Sequence, residues 1–250
     1  MSAVEVLLLV LAGLAAGSIN AVAGGGSLVS FPALLALGLP PLTANVTNSV
    51  AVWPGYVGTT WGYRRELAPQ RRRLLGLAPA AVTGAAVGCL LLLVTSAEAF
   101  ETLVPFPIIG GSLLLAAQGR VTERVRRWPG GGTGARSPLL HGSVLVAAVY
   151  GAYFGGGLGV VLLACLGLFV ADDLQRLNGL KSALSLLINA IALVIFSLFG
   201  PVDWGTVAAL APAALGGGYL GAHLARRLDP AGLRAVVVVF GLAVGIALLF

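Results

Sequence analysis

Asn20-Ala21-Val22-Ala23-Gly24-Gly25-Gly26-Ser27 breaks an apolar run, and Gly151-Ala152-Tyr153-Phe154-Gly155-Gly156-Gly157 breaks another later in the chain. Glycine lets a backbone turn and leaves peptide N–H and C=O groups without helical partners. Inside a bilayer such groups persist only where protein buries them or where they line a polar cavity. Two matched interruptions, one per half, point to the binding site of a transporter. The plainer alternative is that the glycines permit close helix packing, the reading given to Gly84-Ala-Ala-Val-Gly88.

The surrounding composition sets the solvent. Hydrophobic residues form 58% of the 250-residue chain and charged residues 10%, with a mean hydropathy of +0.98. A soluble domain carries about 25% charge, so the chain reads as an integral membrane protein. Many apolar runs approach the ~20 residues that cross ~30 Å of hydrocarbon, and alternating ten-residue strands are absent. The fold class is therefore an all-α polytopic membrane protein. A net charge of +6 raises nucleic acid as a partner, but the arginines sit in short loops between apolar segments, as membrane topology requires. Cys89 and Cys165 lie inside apolar runs and read as small core residues, not a disulfide or metal pair. The first segment lacks a basic leader and reads as a retained helix. No cofactor or metal is expected.

Outward from the first break, a run at about 4–23 precedes a short run at 27–39. The latter reaches only ~20 Å at 1.5 Å per residue and reads as half of a hairpin. Pro40-Pro41 closes it, and Thr43 or Asn45 is placed to cap the next helix, which runs to about Tyr63 with a kink expected at Trp53-Pro54. Spans at about 74–96 and 99–119 follow. The segment 120–138, rich in arginine and ending in Pro and Gly, divides a first repeat (1–119) from a second (139–250). The second half runs 139–154, glycine break, 158–170, 174–199, 204–225 and 232–250.

The halves share sequence. Leu77-Ala-Pro-Ala-Ala-Val-Thr-Gly-Ala-Ala-Val-Gly88 matches Leu210-Ala-Pro-Ala-Ala-Leu-Gly-Gly-Gly-Tyr-Leu-Gly221 at seven of twelve positions, an offset of 133. The same offset pairs Asn45 with Asn178, Asn48 with Lys181 and Ser49 with Ser182, while the glycine triplets pair at 131. All 14 arginines fall in four places: 64–73, 120–138, 226–234 and Arg176. Basic loops lie inside, so the N-terminus is placed outside and the loops 64–73, 120–138 and 226–234 in the cytoplasm. Five segments per half then make the repeats inverted, with about eight spanning helices and two short glycine-broken hairpin segments.

The first signature, Gly17-Ser-Ile-Asn20-Ala-Val-Ala-Gly24-Gly-Gly-Ser27-Leu with Phe31-Pro32 and Ala44-Asn45-Val-Thr-Asn48-Ser49, resembles the opening of the TauE/SafE family. Gly155-Gly-Gly-Leu-Gly159 and Asn178-Gly-Leu-Lys181-Ser182 resemble its second signature. Those are the sulfite and organosulfonate exporters, also called probable membrane transporter proteins. The resemblance implies a multi-pass carrier of the bacterial inner membrane, exporting a small anion, often a sulfur-containing one.

Such an anion needs donors in a desolvated pocket. Backbone amides at Gly24, Gly25, Gly26, Gly155, Gly156 and Gly157 supply them without a full charge. Asn20, Ser27, Asn45, Thr47, Asn48 and Ser49 would add side-chain donors from the first half, and Asn178, Lys181 and Ser182 from the second. Lys181 is the only lysine; it either places a charge beside the anion or snorkels to headgroups. Asn189 is assigned to a neighbouring helix. The nine acidic residues fall in loops or near span ends, leaving coupling open. An anion channel or an uptake permease is the main alternative. An intramembrane enzyme is disfavoured, because His-Glu-x-x-His and Gly-x-Ser-x-Gly are absent. Small-xxx-small patterns fit packing within one chain or in a homodimer and leave both open.

Overall fold

The computed structural model describes residues 1–127, 137–225 and 230–249, which form helices joined by short turns. Residues 128–136 of the segment expected to divide the halves, with Arg226, Arg227 and Asp229, lie outside the described residues.

The first half comprises α1 (Ala3–Val22), α2 (Ser27–Ala36), α3 (Pro41–Gly62), the one-turn α4 (Arg64–Leu67), α5 (Arg71–Val94), α6 (Ala97–Leu103) and α7 (Pro105–Arg127). The second comprises α8 (Pro138–Tyr153), α9 (Leu158–Phe169), α10 (Leu174–Phe199), α11 (Trp204–Leu224) and α12 (Pro230–Ala247). Local chemistry sets many of these ends. Ser2 and Glu5 form a reciprocal capping box on α1. Asp173 and Asp203 cap α10 and α11 by accepting from Arg176 N at 2.9 Å and Thr206 N at 2.7 Å.

Two expectations need correction. Neither Thr43 nor Asn45 caps a helix: α3 starts at Pro41, whose missing N–H suits the first helical position, so both residues lie inside it. The helix continues through Pro54. The span expected at 99–119 is two helices, split at Val104 because Pro105 begins a new one, and α7 carries on through Arg127 into the expected loop.

Among the described residues, five segments are long and apolar enough to cross a membrane: 3–22, 64–94, 97–120, 174–199 and 204–224. Helices α2, α8, α9 and α12 are shorter apolar helices. Although 22 residues long, α3 falls outside this set, because it carries Thr43, Asn45, Thr47, Asn48, Ser49, Thr59 and Thr60. Its residues 44–52 are buried without interruption, and so are residues 177–185 of α10. These two stretches correspond at the offset of 133. The polar helices are thus wrapped by the others, which present Leu, Val and Phe outward.

Helices in lipid gain little from apolar burial against each other and rely on close van der Waals approach. The chain uses glycine for this. A Cβ on Gly84 would stand 2.4 Å from Leu145 O and one on Gly88 2.3 Å from Val149 O, so α5 lies directly on α8. In the other pair, a Cβ on Gly217 would stand 2.2 Å from Leu14 O and one on Gly221 2.8 Å from Ser18 O, placing α11 on α1. Gly84 and Gly88 pair with Gly217 and Gly221 at 133, and Leu14 and Ser18 with Leu145 and Val149 at 131, so equivalent residues make equivalent contacts. Exchanging α1 with α8, α2 with α9, α3 with α10, α5 with α11 and α7 with α12 likewise turns the α11–α3 packing into α5–α10 and α12–α2 into α7–α9. Asn189, expected to bond a neighbouring helix, instead donates its Nδ2 to Ser185 O of its own helix at 2.9 Å, with its side chain beside the Tyr56 hydroxyl of α3.

At one end, Arg73 of α5 pairs with Asp172 in the turn before α10. Burial alone would raise the Asp172 carboxyl. The Arg73 hydrogen bond, the Asp173 N–H and the charges of Arg73 and Arg176 outweigh it and hold the group below the ordinary carboxylate value. Because the folded value is the lower one, the stabilisation is complete above the unfolded value, about 3.9, and is lost as pH falls through the folded value. Both guanidinium groups are a third or more exposed, which limits it to about 1 kcal/mol. Thermal unfolding in detergent at pH 3 and pH 6 should therefore show a larger acid loss for the wild type than for Asp172→Asn; equal losses would mean that the pair contributes nothing.

Candidate functional site

The breaks place backbone amides and carbonyls deep inside the protein. Gly24, Gly155 and Gly157 have φ of 87°, 81° and 82°, the left-handed region that side chains resist. The two breaks meet: Gly159 N donates to Gly24 O at 3.1 Å. A Cβ on Gly24 would lie 2.6 Å from Gly159 Cα. Beside this contact, Phe31 and Phe154 stack edge to face at 5.6 Å, joining α2 to the end of α8.

The carbonyls of Ala23 and of both glycine triplets are occupied. Gln118 Nε2 donates to Ala23 O at 2.9 Å, Gly159 N to Gly24 O, Leu28 N to Gly25 O, and Val29 N to Gly26 O. In the second break Leu158 N donates to Gly155 O, the Tyr150 hydroxyl to Gly156 O, and Val160 N to Gly157 O. The amides are not: among the described residues, the N–H groups of Gly25, Ser27, Gly156 and Gly157 have no partner. Saturated carbonyls beside free amides leave a surplus of positive ends, at the N-termini of α2 and α9. That arrangement attracts anions.

Side chains extend the surplus. Asn20 Oδ1 accepts from Gly26 N at 2.8 Å, leaving its buried Nδ2 without a partner. Ser27 is buried, and its Oγ lies 3.8 Å from where a Cβ on Gly155 would be, linking the first break to the second. Ser30 Oγ donates to Asn48 Oδ1 at 2.6 Å, one turn beyond the first break. Asn45 Nδ2 donates to Tyr153 O at 2.9 Å, tying α3 to the end of α8, and leaves its Oδ1 free.

On α10, Lys181 is 1% exposed, and its Nζ has no hydrogen-bond partner. The amine is therefore inside the protein and not at a headgroup surface. Among the described residues it is the one charged side chain in the buried set, and no Asp or Glu accompanies it there. Asn178 Oδ1 is also buried and unpartnered.

The remaining candidates have other attachments. Thr47 Oγ1 accepts from Asp203 N at 3.0 Å, pinning α3 to the turn before α11. Ser49 and Ser182 each donate back to their own helix, to Asn45 O and Asn178 O. Ser30, Gln118 and Tyr150 belong to the site network without having been singled out in the sequence. For Gln118 a signal existed: an amide within an apolar run needs a partner. Among the described residues no group of three or more His, Cys, Asp or Glu gathers to hold a metal.

The contact between the breaks is open to a direct test. Gly38 shares the left-handed conformation (φ 85°) but has nothing within 4 Å of its Cβ position. Gly38→Ala should cost only the backbone strain, about 1–2 kcal/mol. Gly24→Ala adds a clash with Gly159, another 1–3 kcal/mol or so. In detergent, Gly24→Ala should unfold several degrees below Gly38→Ala; equal unfolding temperatures would show that the breaks are not in contact.

Known proteins agree with a membrane carrier. The family described as "Sulfite exporter TauE/SafE" matches residues 9–248. A "Probable membrane transporter protein" of Haemophilus influenzae is 26% identical over 230 residues, covering 91% of this chain and 88% of that protein. "Probable membrane transporter protein ORF9" of a Sinorhizobium species is 27% identical over 243 residues, covering 94% and 88%. "Probable membrane transporter protein YfcA" of Escherichia coli K12 is 28% identical over 216 residues, covering 85% and 76%. With the family matched from end to end, this multi-pass membrane protein is a member of the TauE/SafE family of membrane transporters.

Proposed function

We propose that the protein is a secondary transporter that exports a small, sulfur-containing anion such as sulfite or an organosulfonate across the bacterial inner membrane. The observation that carries this reading is the donor surplus at the paired breaks: four free amides and Asn20 Nδ2, with an unpartnered lysine on the adjoining buried helix. A small oxyanion satisfies several such donors at once, and amides release it more readily than a set of arginines would.

The proposed architecture is a pair of inverted repeats, 1–119 and 139–250, joined by the basic segment 120–138. Its support is the equivalence of contacts at offsets 131 and 133, together with the matching buried stretches of α3 and α10. The arginine-rich loops place the N-terminus outside and the linker in the cytoplasm. Gly24, Gly25, Gly26, Gly155, Gly156 and Gly157 shape the pocket with Ser27; Asn45, Asn48, Asn178 and Lys181 border it, and Thr47, Ser49 and Ser182 brace α3 and α10. Alternating access is favoured over a channel, because a conducting pore would wet the Lys181 amine, which here is 1% exposed.

Binding of sulfite, sulfate, thiosulfate and a small sulfonate to purified protein tests the assignment, with Lys181→Met as an uncharged side chain of similar length. Saturable binding of one anion, weakened at least about tenfold in the variant, is the predicted result. Equal binding in the variant would remove Lys181 from the pocket, and no binding of any of the four would remove the sulfur-anion cargo.

A further inference from the structure

One charged cluster lies apart from the breaks. Asp172, in the turn between α9 and α10, receives two guanidinium groups: Arg73 on its Oδ2 and Arg176 on its Oδ1 at 3.3 Å. Arg176 Nε also meets Asp173 Oδ2 at 3.1 Å. Gln70, 2% exposed, joins the same cluster. Its Nε2 donates to Arg176 O at 2.7 Å and Glu66 O at 3.0 Å, while its Oε1 accepts from Arg73 at 3.3 Å. The bonds from Arg73 and Gln70 to Asp172 and Arg176 cross from the first half to the second.

Its position is as informative as its chemistry. Arg176 and Lys181 are five residues apart on α10, a rise of about 7.5 Å. The cluster therefore clamps the first turn of the helix whose next turns carry Asn178 and Lys181. At the equivalent place in the other half, Asp203 stands where Gln70 does (offset 133), and its N–H donates to Thr47 Oγ1 of α3. One closure is ionic; the other is a single neutral bond.

We propose that Arg73, Asp172 and Arg176, bridged by Gln70, form the cytoplasmic gate, and that an oxyanion opens it by replacing the Asp172 carboxylate on the two arginines. A carboxylate held between two guanidinium groups occupies the position an oxyanion takes, so cargo and gate compete for the same donors. Once the oxyanion has displaced Asp172, separation of α5 from the α10 turn carries Arg73 away beside the exposed Arg71 and Arg72, while Arg176 stays on α10 with Asp173, and the entrance becomes an anion-attracting mouth above Lys181. Calling this end cytoplasmic and its ligand an oxyanion rests on the proposed topology and cargo; the latch itself does not.

Hydrogen exchange of the full chain in lipid nanodiscs separates the two. Asp172→Asn should raise amide exchange at least about fivefold in residues 64–73 and 171–182, the effect of removing an interaction of about 1 kcal/mol, and leave 200–206 unchanged. Asp173→Asn, which still caps α10, should leave all three segments as in the wild type. Exchange that stays unchanged in Asp172→Asn, or rises equally at 200–206, overturns the gate. A second arm uses Arg73→Cys with Asp172→Cys in a Cys89→Ala, Cys165→Ala background. Methanesulfonate flux from liposomes, a cargo that unlike sulfite does not cleave disulfides, should fall more than about tenfold on oxidation and return on reduction, whereas flux indifferent to the crosslink overturns the gate. If the reduced protein moves no methanesulfonate, that cargo is wrong and the exchange result alone decides the latch.

Discussion

A peptide group inside a bilayer must find a partner within the protein, and this fold is arranged around the places where helices stop meeting that demand. At the two glycine breaks the debt is settled unevenly. Gln118, Tyr150, the facing Gly159 amide and local turns occupy the carbonyls, whereas four amides remain open. The unevenness converts a structural necessity into an electrostatic one. Spare N–H groups at the breaks favour negative ligands without needing a ring of arginines, whose desolvation would be costly.

The two most polar helices follow from the same constraint. Neither α3 nor α10 can turn Asn45, Asn48, Asn178 or Lys181 toward lipid, so both are enclosed on every side where those residues occur. Enclosure in turn requires neighbours to approach closely, which glycine provides at α1–α11 and α5–α8. Sequence-distant parts of the chain thus serve one purpose: keeping two polar helices beside two broken ones. The halves are not interchangeable, however. Asn48 is paired with Ser30, but the position of α9 matching Ser30 is Val161 (offset 131), and Lys181 stands where Asn48 does with no partner. The unfilled bond is therefore on the second half.

Much of this was legible in the residues. Glycine triplets flanked by apolar runs announce the breaks because few other sequences stop a helix in that setting, and α10 is bounded at Leu174 and Phe199 by Asp173 and Gly200, as its apolar run indicates. The small-residue spacing of Gly84 and Gly88 was also a sound guide to packing. What escaped was set by tertiary partners. Asn45 looks like a cap, yet Pro41 starts the helix earlier and the amide is spent on a carbonyl 108 residues away. Thr47 sits among site residues in sequence but bonds the Asp203 N–H in the turn before α11. Ser30 and Tyr150 carry no motif, and only the fold brings them to the breaks.

The free amides of the paired breaks are the groups proposed to receive the anion. Nitrogen-15 labelling of glycine and serine in the detergent-solubilised protein, titrated with sulfite, tests this at the atoms concerned. The amide resonances of Gly25, Ser27, Gly156 and Gly157 should shift together and saturate along one curve, while those of Gly24 and Gly159, already bonded, move little. Saturable shifts at other residues that leave these four unmoved would place the anion elsewhere and contradict the account.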